Sequence, residues 1–143
     1  MHPDALTFLD SQRVCVLAIE MPDGSPHAST VHFAHIGEEP VFVFETDKRY
    51  RKYEALTTRP ISRASLAVGF EEGQNSKTLQ VDGEAGLLSA DDQLVQKYLE
   101  RFPEKIEKAK GENVTFFQFK PTWWRFTDWG RPSGKTILAS DTK

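Results

Sequence analysis

Short apolar runs separated by polar turns cover most of the chain, and this pattern predicts β-strands. Residues 14–19 form an almost unbroken apolar run, so we expect a strand that is covered on both faces. Residues 78–88 instead alternate between apolar and polar positions, and Gly83 and Gly86 predict bulges or strong coiling there. Further strands are predicted at residues 27–35, 41–45, 63–70, 114–119 and 123–127, the last two separated by Pro121.

Three segments have the periodicity of short helices. The first covers residues 3–11, and the second has an apolar residue at every third position between residues 50 and 56, with Asp47 as its expected N-cap. Ser89 is expected to cap the third helix, with Asp92 placed as in a capping box. Because the predicted strands follow one another through short turns, we expect an antiparallel, mainly β fold of the barrel or sandwich type with flanking helices.

A basic cluster lies where one predicted strand turns into a helix. Thr46 and Asp47 are followed by Lys48, Arg49, Arg51 and Lys52 within seven residues. A helix N-terminus offers unpaired N–H groups and a partial positive charge, and neighbouring basic side chains strengthen its attraction for a phosphate. The cluster therefore indicates either a phosphate site or a solvated basic helix face.

Composition narrows the class of protein. The chain has 143 residues, which suits one domain over residues 1–143, and its formal charge of -3 argues against a general nucleic-acid binder. No apolar run approaches the roughly 18 residues that a membrane span requires. The N-terminal residues have no signal-peptide pattern and the chain has a single cysteine, Cys15. We therefore expect a cytoplasmic protein without a disulfide, and a buried strand thiol at Cys15.

Three segments together resemble a known family. They are DGSPHASTV at residues 23–31, FETDKRYRK at residues 44–52 and KTLQVDGEA at residues 77–85. In this order and spacing they resemble the pyridoxamine 5'-phosphate oxidase-like family, the FMN-binding split barrels. The resemblance covers about residues 10–127. The segments at 101–103 and 124–128 are similar to those of a small uncharacterised branch of this superfamily.

The resemblance implies an antiparallel split β-barrel of Greek-key type that forms a homodimer with FMN at the interface. It implies that Arg51 and Lys52 hold the FMN phosphate and that Thr46 lies near the phosphate or the ring. The other flavin-binding positions that it implies lie on two strands: Ser29, Thr30, Val31, Lys77 and Thr78.

The chain departs from the oxidase proper at two of these positions. Ser29 stands where the oxidase has an Arg, and Thr78 stands where it has a Gln. The oxidase's C-terminal substrate-binding segment also has no clear counterpart. The resemblance therefore implies an FMN-dependent oxidoreductase acting on a small unidentified molecule, with no assigned catalytic residue. An oxidoreductase that uses FAD or a deazaflavin, and a non-catalytic split barrel that binds a ligand or a partner, stay open as alternatives.

Histidines, tryptophans and the C-terminal tail leave further questions open. His27, His32 and His35 fall on one predicted strand, where alternation separates His32 from the other two, so no metal site is expected. Some split barrels bind heme through a histidine, which is a minor alternative here. Trp123 and Trp124 either line a ligand pocket or pack in the core or the dimer interface. The polar tail, residues 128–143, could lie over the cofactor of its own or the partner subunit.

Overall fold

Eight strands and four α-helices make up the part of the chain that the computed structural model describes, which comprises residues 1–71, 76–130, 132 and 134–140. The helices are α1 (Pro3–Asp10), α2 (Arg51–Thr58), α3 (Gln93–Arg101) and α4 (Ile106–Ala109), with a 3₁₀ turn at Pro103–Lys105. The strands are β1 (Val14–Glu20), β2 (Pro26–His32), β3 (Ala34–Ile36), β4 (Val41–Asp47), β5 (Ser62–Val68), β6 (Lys77–Leu88), β7 (Val114–Asp128) and β8 (Thr136–Ala139).

All the strands join in one antiparallel sheet in the order β2-β1-β5-β6-β7-β4-β3, and β8 also pairs with β7. β7 is the longest strand, with β6 along one edge and β4 and β8 along the other. The sheet curls into a half-barrel, so that β2 at one end of the strand order comes close to β4 near the other. This confirms the prediction of a mainly β, antiparallel split barrel with flanking helices.

The two faces of the sheet bury separate apolar clusters. The larger cluster fills the barrel with residues such as Leu17, Phe44, Leu79, Phe117 and Phe126. The smaller cluster lies under α3. Val95 and Tyr98 of this helix, and Phe102 directly after it, are buried against β3, β4 and β7. The smaller cluster thereby fixes the segment that follows α3 against the end of β4.

The structure corrects two strand predictions, one for β1 and one for β7. β1 alternates, and Val16 is 46% exposed, so the prediction that both of its faces are covered is wrong for the single chain. The two strands predicted on either side of Pro121 are one continuous strand. A register shift at Asp82 and Gly83 absorbs the proline, whose missing N–H would interrupt a regular ladder.

The strand predicted over residues 27–35 is likewise two strands. β2 ends at His32, and β3 begins at Ala34. Between them the Phe33 backbone N–H donates to the carbonyl of Arg13 at 3.1 Å, and its ring is buried in the barrel. The change of direction at Phe33 moves the chain from one end of the strand order to the other.

Both predicted helix caps are wrong. The Asp47 carboxylate accepts hydrogen bonds from the backbone N–H and the guanidinium of Arg49, at 2.7 to 2.8 Å, and α2 begins after Tyr50 without a side-chain cap. For α3 the cap is Asp92, whose carboxylate accepts from the Leu94 N–H at 2.9 Å. Ser89 lies one turn too early. In each case an acidic side chain closes the nearest available turn, which sequence spacing alone does not identify.

The tail is anchored to the sheet. β8 pairs with residues 125–128 of β7, with Phe126 opposite Leu138. Residues 131, 133 and 141–143 lie outside the described part of the chain. That the tail covers a cofactor stays a prediction.

Cys15 lies on the buried face of β1. Its side chain is 4% exposed, and burial raises the pKa of its thiol to about 12. The thiolate is therefore negligible at neutral pH, which agrees with the expectation of an unreactive strand thiol.

The bulge at Gly83 predicts a strong effect of a single methyl group. A Cβ at Gly83 would overlap the Lys120 carbonyl oxygen and lie 2.8 Å from the Phe119 ring. We expect Gly83→Ala to lower the free energy of unfolding by about 1–3 kcal/mol, measured by urea denaturation. Gly111→Ala is the comparison variant, because its Cβ would make a tight contact of 3.2 Å with the Lys108 carbonyl oxygen but would not overlap it. Equal unfolding midpoints for the two variants would contradict this account.

Candidate functional site

A cavity of about 290 Å³ opens where β2 faces β4 across the split of the barrel. β2 contributes Thr30, Val31 and His32, and β4 contributes Glu45, Thr46 and Asp47. Its basic side chains come from two helical segments: Lys52 from α2, and Lys105 and Lys108 from the segment after α3. We call this cavity the basic cleft.

Lys52 is the most unusual side chain of the basic cleft. It lies in the first turn of α2 and is only 7% exposed. Its Nζ donates to the Ser29 Oγ at 3.3 Å and lies 5.3 Å from the centre of the Tyr50 ring. Burial lowers the pKa of Lys52. An ammonium group with this little compensation is stabilised by an anion that enters the cleft.

Thr46 places a second unsatisfied group in the same cavity. Its side chain is 5% exposed, and its Oγ1 has no hydrogen-bond partner within the described chain. Buried hydroxyl groups nearly always have a partner, because an unmade hydrogen bond costs about 1–3 kcal/mol. Lys52 and Thr46 therefore place a buried basic side chain and an unsatisfied hydroxyl at one cavity, a combination that suits an oxygen-rich anion.

A buried carboxylate organises the other side of the basic cleft. Glu45 has a side chain that is 9% exposed, and its Oε1 accepts from Lys105 Nζ at 2.9 Å and from Lys108 Nζ at 3.1 Å. The hydroxyl of Tyr98 shares Lys105 Nζ at 3.1 Å. These contacts tie the segment after α3 to β4 and hold Lys105 and Lys108 at the cavity.

His32 lines the basic cleft as a neutral ring. It makes an edge contact with Phe102, with 5.5 Å between ring centres. Burial lowers the pKa of His32, and the positive charges of Lys105 and Arg13 lower it further. The neutral imidazole can accept or donate a hydrogen bond or bind a metal centre.

The basic residues of the turn before α2 do not act together. Arg49 is held by the Asp47 carboxylate, and this pairing lowers the pKa of Asp47 to about 2. Lys48 and Arg51 are exposed, and neither lines the cavity. Of the four basic residues in the cluster, only Lys52 lines the basic cleft.

The structure brings together five of the eight residues that the resemblance implied: Ser29, Thr30, Val31, Thr46 and Lys52. Arg51 is exposed and does not line the cavity, and Lys77 and Thr78 lie elsewhere. Lys77 pairs with Asp128 at the far end of β7, whereas the basic cleft adjoins Val114 at its beginning. Lys77 instead lines a second cavity of about 360 Å³ between α1 and the ends of β6 and β7.

The two neighbouring tryptophans also lie outside the basic cleft. Trp124 is partly buried against the barrel core and borders the groove beside β8. Trp123 pairs with Asp82 next to the bulge in β6. Whether either one contacts a second subunit stays a prediction.

Glu45, Lys105 and Lys108 are site residues that sequence reasoning missed. Glu45 directly precedes Thr46, but strand alternation gave no reason to expect a buried carboxylate there. Lys105 and Lys108 belong to a charged segment that has the pattern of a solvent-exposed helix. Only the packing of α3 against β3 and β4 brings this segment to the cleft.

The described residues contain no group of three or more His, Cys, Asp or Glu side chains arranged to hold a metal ion. They also include no helix that combines the length and apolar character of a membrane span.

The curled antiparallel sheet with its flanking helices defines the class of split-barrel proteins. The sequence profile of the pyridoxamine 5'-phosphate oxidase family matches residues 1–128. The chain belongs to this family. No curated protein matches the chain significantly.

Solved structures show the same fold at low sequence identity. A heme-binding protein from Mycobacterium smegmatis superposes with a TM-score of 0.71 and 19% identity over 96% of this chain, which spans 59% of that protein. HutZ, the heme storage protein from Vibrio cholerae, gives a TM-score of 0.67 and 18% identity over 84% of this chain and 89% of its own. A third structure is a protein from Clostridium acetobutylicum related to general stress protein 26, of the pyridoxinephosphate oxidase family. It gives a TM-score of 0.69 and 12% identity over 96% of this chain and 93% of its own.

The lowered pKa of His32 predicts a pH dependence of stability. Because the folded state disfavours the protonated ring, the unfolded chain takes up the proton first, and stability is lost as the pH falls below about 6.5. We expect His32→Gln to have a flatter stability profile than the wild type between about pH 7 and pH 5. Urea unfolding across this range measures the difference, and NMR titration of His32 should give a midpoint below that of a free imidazole. Parallel profiles would contradict the prediction.

Proposed function

We propose that the protein binds FMN and that the basic cleft holds the phosphate of this cofactor. One observation carries the proposal: one cavity is lined by the buried Lys52 and by Thr46, whose hydroxyl has no partner in the described part of the chain. Ser29 Oγ lies beside Lys52 Nζ and offers a third polar contact. This donor set suits a phosphate, and family membership favours a flavin as the molecule that carries it.

The remaining groups of the cleft fit the rest of such a ligand. Val31 provides an apolar wall, whereas the exposed Arg51 at the start of α2 does not line the cavity. When bound, FMN supplies the redox chemistry, while the chain's own residues bind and orient the cofactor and exclude water. We therefore propose an oxidoreductase that acts on a small molecule in the cytoplasm. A split barrel that binds the ligand without catalysis, or that takes FAD or a deazaflavin, is the alternative outcome.

A homodimer with the cofactor at its interface accounts for the residues that a single chain leaves apart. Lys77 and Thr78 lie at the far end of β7 from Lys52, so they can contact the same flavin only across two subunits. Val14 and Val16 expose apolar surface on the outer face of β1, which a second copy would cover. Sedimentation of the purified protein tests this arrangement, and a monomer that still binds FMN would contradict it.

The phosphate contact predicts the effect of removing one charge. Lys52→Met keeps the buried stem of the side chain but deletes the ammonium, so we expect the Kd for FMN to rise by about 10- to 100-fold. Quenching of flavin fluorescence measures the affinity. Lys48→Met is the matched control, because Lys48 lies in the same turn but is exposed and does not line the cavity. Similar affinities for both variants would argue against the proposed site.

Heme is the second candidate ligand, and His32 is the observation that favours it. The ring lines the basic cleft and its pKa is lowered, so that it is neutral and able to bind iron. Lys52, Lys105 and Lys108 could pair with the heme carboxylates. The absorption spectrum of the protein titrated with heme separates the two candidates. A Soret shift that His32→Ala removes would favour heme, whereas flavin bands with no effect of His32→Ala on FMN affinity would favour FMN.

A further inference from the structure

The turn between β4 and α2 is closed by the side chain of Asp47. Its Oδ1 accepts from the backbone N–H of Arg49 at 2.8 Å, and the Asp47 carbonyl accepts from the N–H of Tyr50 at 2.9 Å. A carboxylate that binds the N–H two residues ahead fixes a turn much as a backbone hydrogen bond does. The path of the chain from β4 into the helix therefore depends on a side chain as well as on the backbone.

This contact takes the place of a cap for α2. Tyr50 occupies the N-cap position, but its side chain makes no capping hydrogen bond, although side-chain caps normally stabilise the start of a helix. At the other end of the turn, the Lys48 N–H donates to the Asn113 carbonyl at 2.7 Å and holds the turn against the residue before β7. The bond from Arg49 to Asp47 then sets the direction in which the helix leaves the turn.

Two side chains at the start of α2 line the basic cleft: Tyr50 and Lys52. The Lys52 Nζ lies 5.3 Å from the centre of the Tyr50 ring, and the side chain that carries it is buried. Packing leaves a buried side chain little freedom, so the position of Nζ follows the backbone from which it projects. A shift in the start of α2 would therefore move Nζ relative to Ser29 on β2 and Thr46 on β4.

We propose that Asp47 is a positioning residue for the phosphate site: by closing the turn before α2, it holds the Lys52 ammonium where the phosphate binds. The inference rests on the proposed function, since it takes the contact between Lys52 and the phosphate from there. It adds that the affinity for an anion depends on an acidic residue in the wall of the same cleft.

The charge and the hydrogen bonding of Asp47 act in opposite directions on an anion. Hydrogen bonds from Arg49 lower the pKa of Asp47 to about 2, so the carboxylate is ionised at neutral pH and repels a phosphate. Asparagine removes this charge but keeps an oxygen that can accept from the Arg49 N–H. Alanine removes both the charge and the acceptor. A comparison of the two neutral variants therefore isolates the effect of the turn.

The test measures the Kd for FMN and for riboflavin by fluorescence quenching in the full-length protein freed of bound small molecules. We expect Asp47→Asn to bind FMN at least as tightly as the wild type, and Asp47→Ala to bind it about tenfold more weakly than Asp47→Asn. Riboflavin lacks the phosphate, so its Kd should differ by less than about twofold between the two variants. A general loss of folded structure would instead weaken both flavins alike and overturn the positioning role.

Arg49→Met is the matched control, because it removes the guanidinium that binds Asp47 but keeps the backbone N–H. The Arg49 side chain is 72% exposed and its charge is screened by solvent, so we expect the Kd for FMN to change by about threefold at most. A tenfold loss in this variant would assign the effect to the ion pair and overturn the inference.

Equal affinities of Asp47→Asn and Asp47→Ala for FMN would also overturn the inference. If Asp47→Ala does not fold, Asp47→Ser replaces it, because a serine hydroxyl closes such a turn more weakly than an amide oxygen does. A Kd for FMN that is higher in Asp47→Ser than in Asp47→Asn would then support the role of the turn, and equal values would contradict it.

The same titrations separate this inference from the proposed function. If Lys52→Met weakens FMN binding but the Asp47 variants bind FMN equally well, the phosphate site is supported and the role of Asp47 is overturned. If the wild type does not bind FMN, the phosphate site fails and the inference fails with it.

Discussion

The whole structure depends on the pairing of β7 along both of its edges. β6 pairs with it from Phe116 to Asp128, whereas on the opposite edge β4 pairs with residues 114–119 and β8 with residues 125–128. This strand therefore joins the two halves of the barrel and sets where β4 ends. Since Thr46 and Asp47 pair with the first residues of β7, the position of the basic cleft follows from the register of this one strand.

Electrostatic balance then decides what the cleft can hold. Glu45 neutralises part of the charge of Lys105 and Lys108, whereas the hydroxyl of Ser29 is the one polar partner of the Lys52 ammonium among the described residues. The positive charge is therefore concentrated on one side of the cavity. In a partly desolvated site such an imbalance favours an anion far more than the same charges would on an open surface.

Alternation and apolar runs located most strands of the barrel, but they misjudged the faces of β1, divided β7 at Pro121 and merged β2 with β3. The sequence also located Ser29, Thr46 and Lys52, since three short segments in the right order resemble a known family. It could not distinguish Lys52 from Lys48, Arg49 and Arg51, because only the packing of α2 buries one of the four. It missed Glu45 and Lys105 for a similar reason: their pairing joins segments 60 residues apart and leaves no local pattern.

The buried thiol of Cys15 has a practical consequence. It is the only cysteine in the chain, and its high pKa and burial protect it from alkylation as long as β1 stays paired with β2 and β5. A maleimide can reach the sulfur only when this part of the barrel opens. The rate of labelling at Cys15 therefore reports how often this part of the barrel opens, with no need to introduce a probe. A ligand that closes the seam between β2 and β4 would slow this labelling.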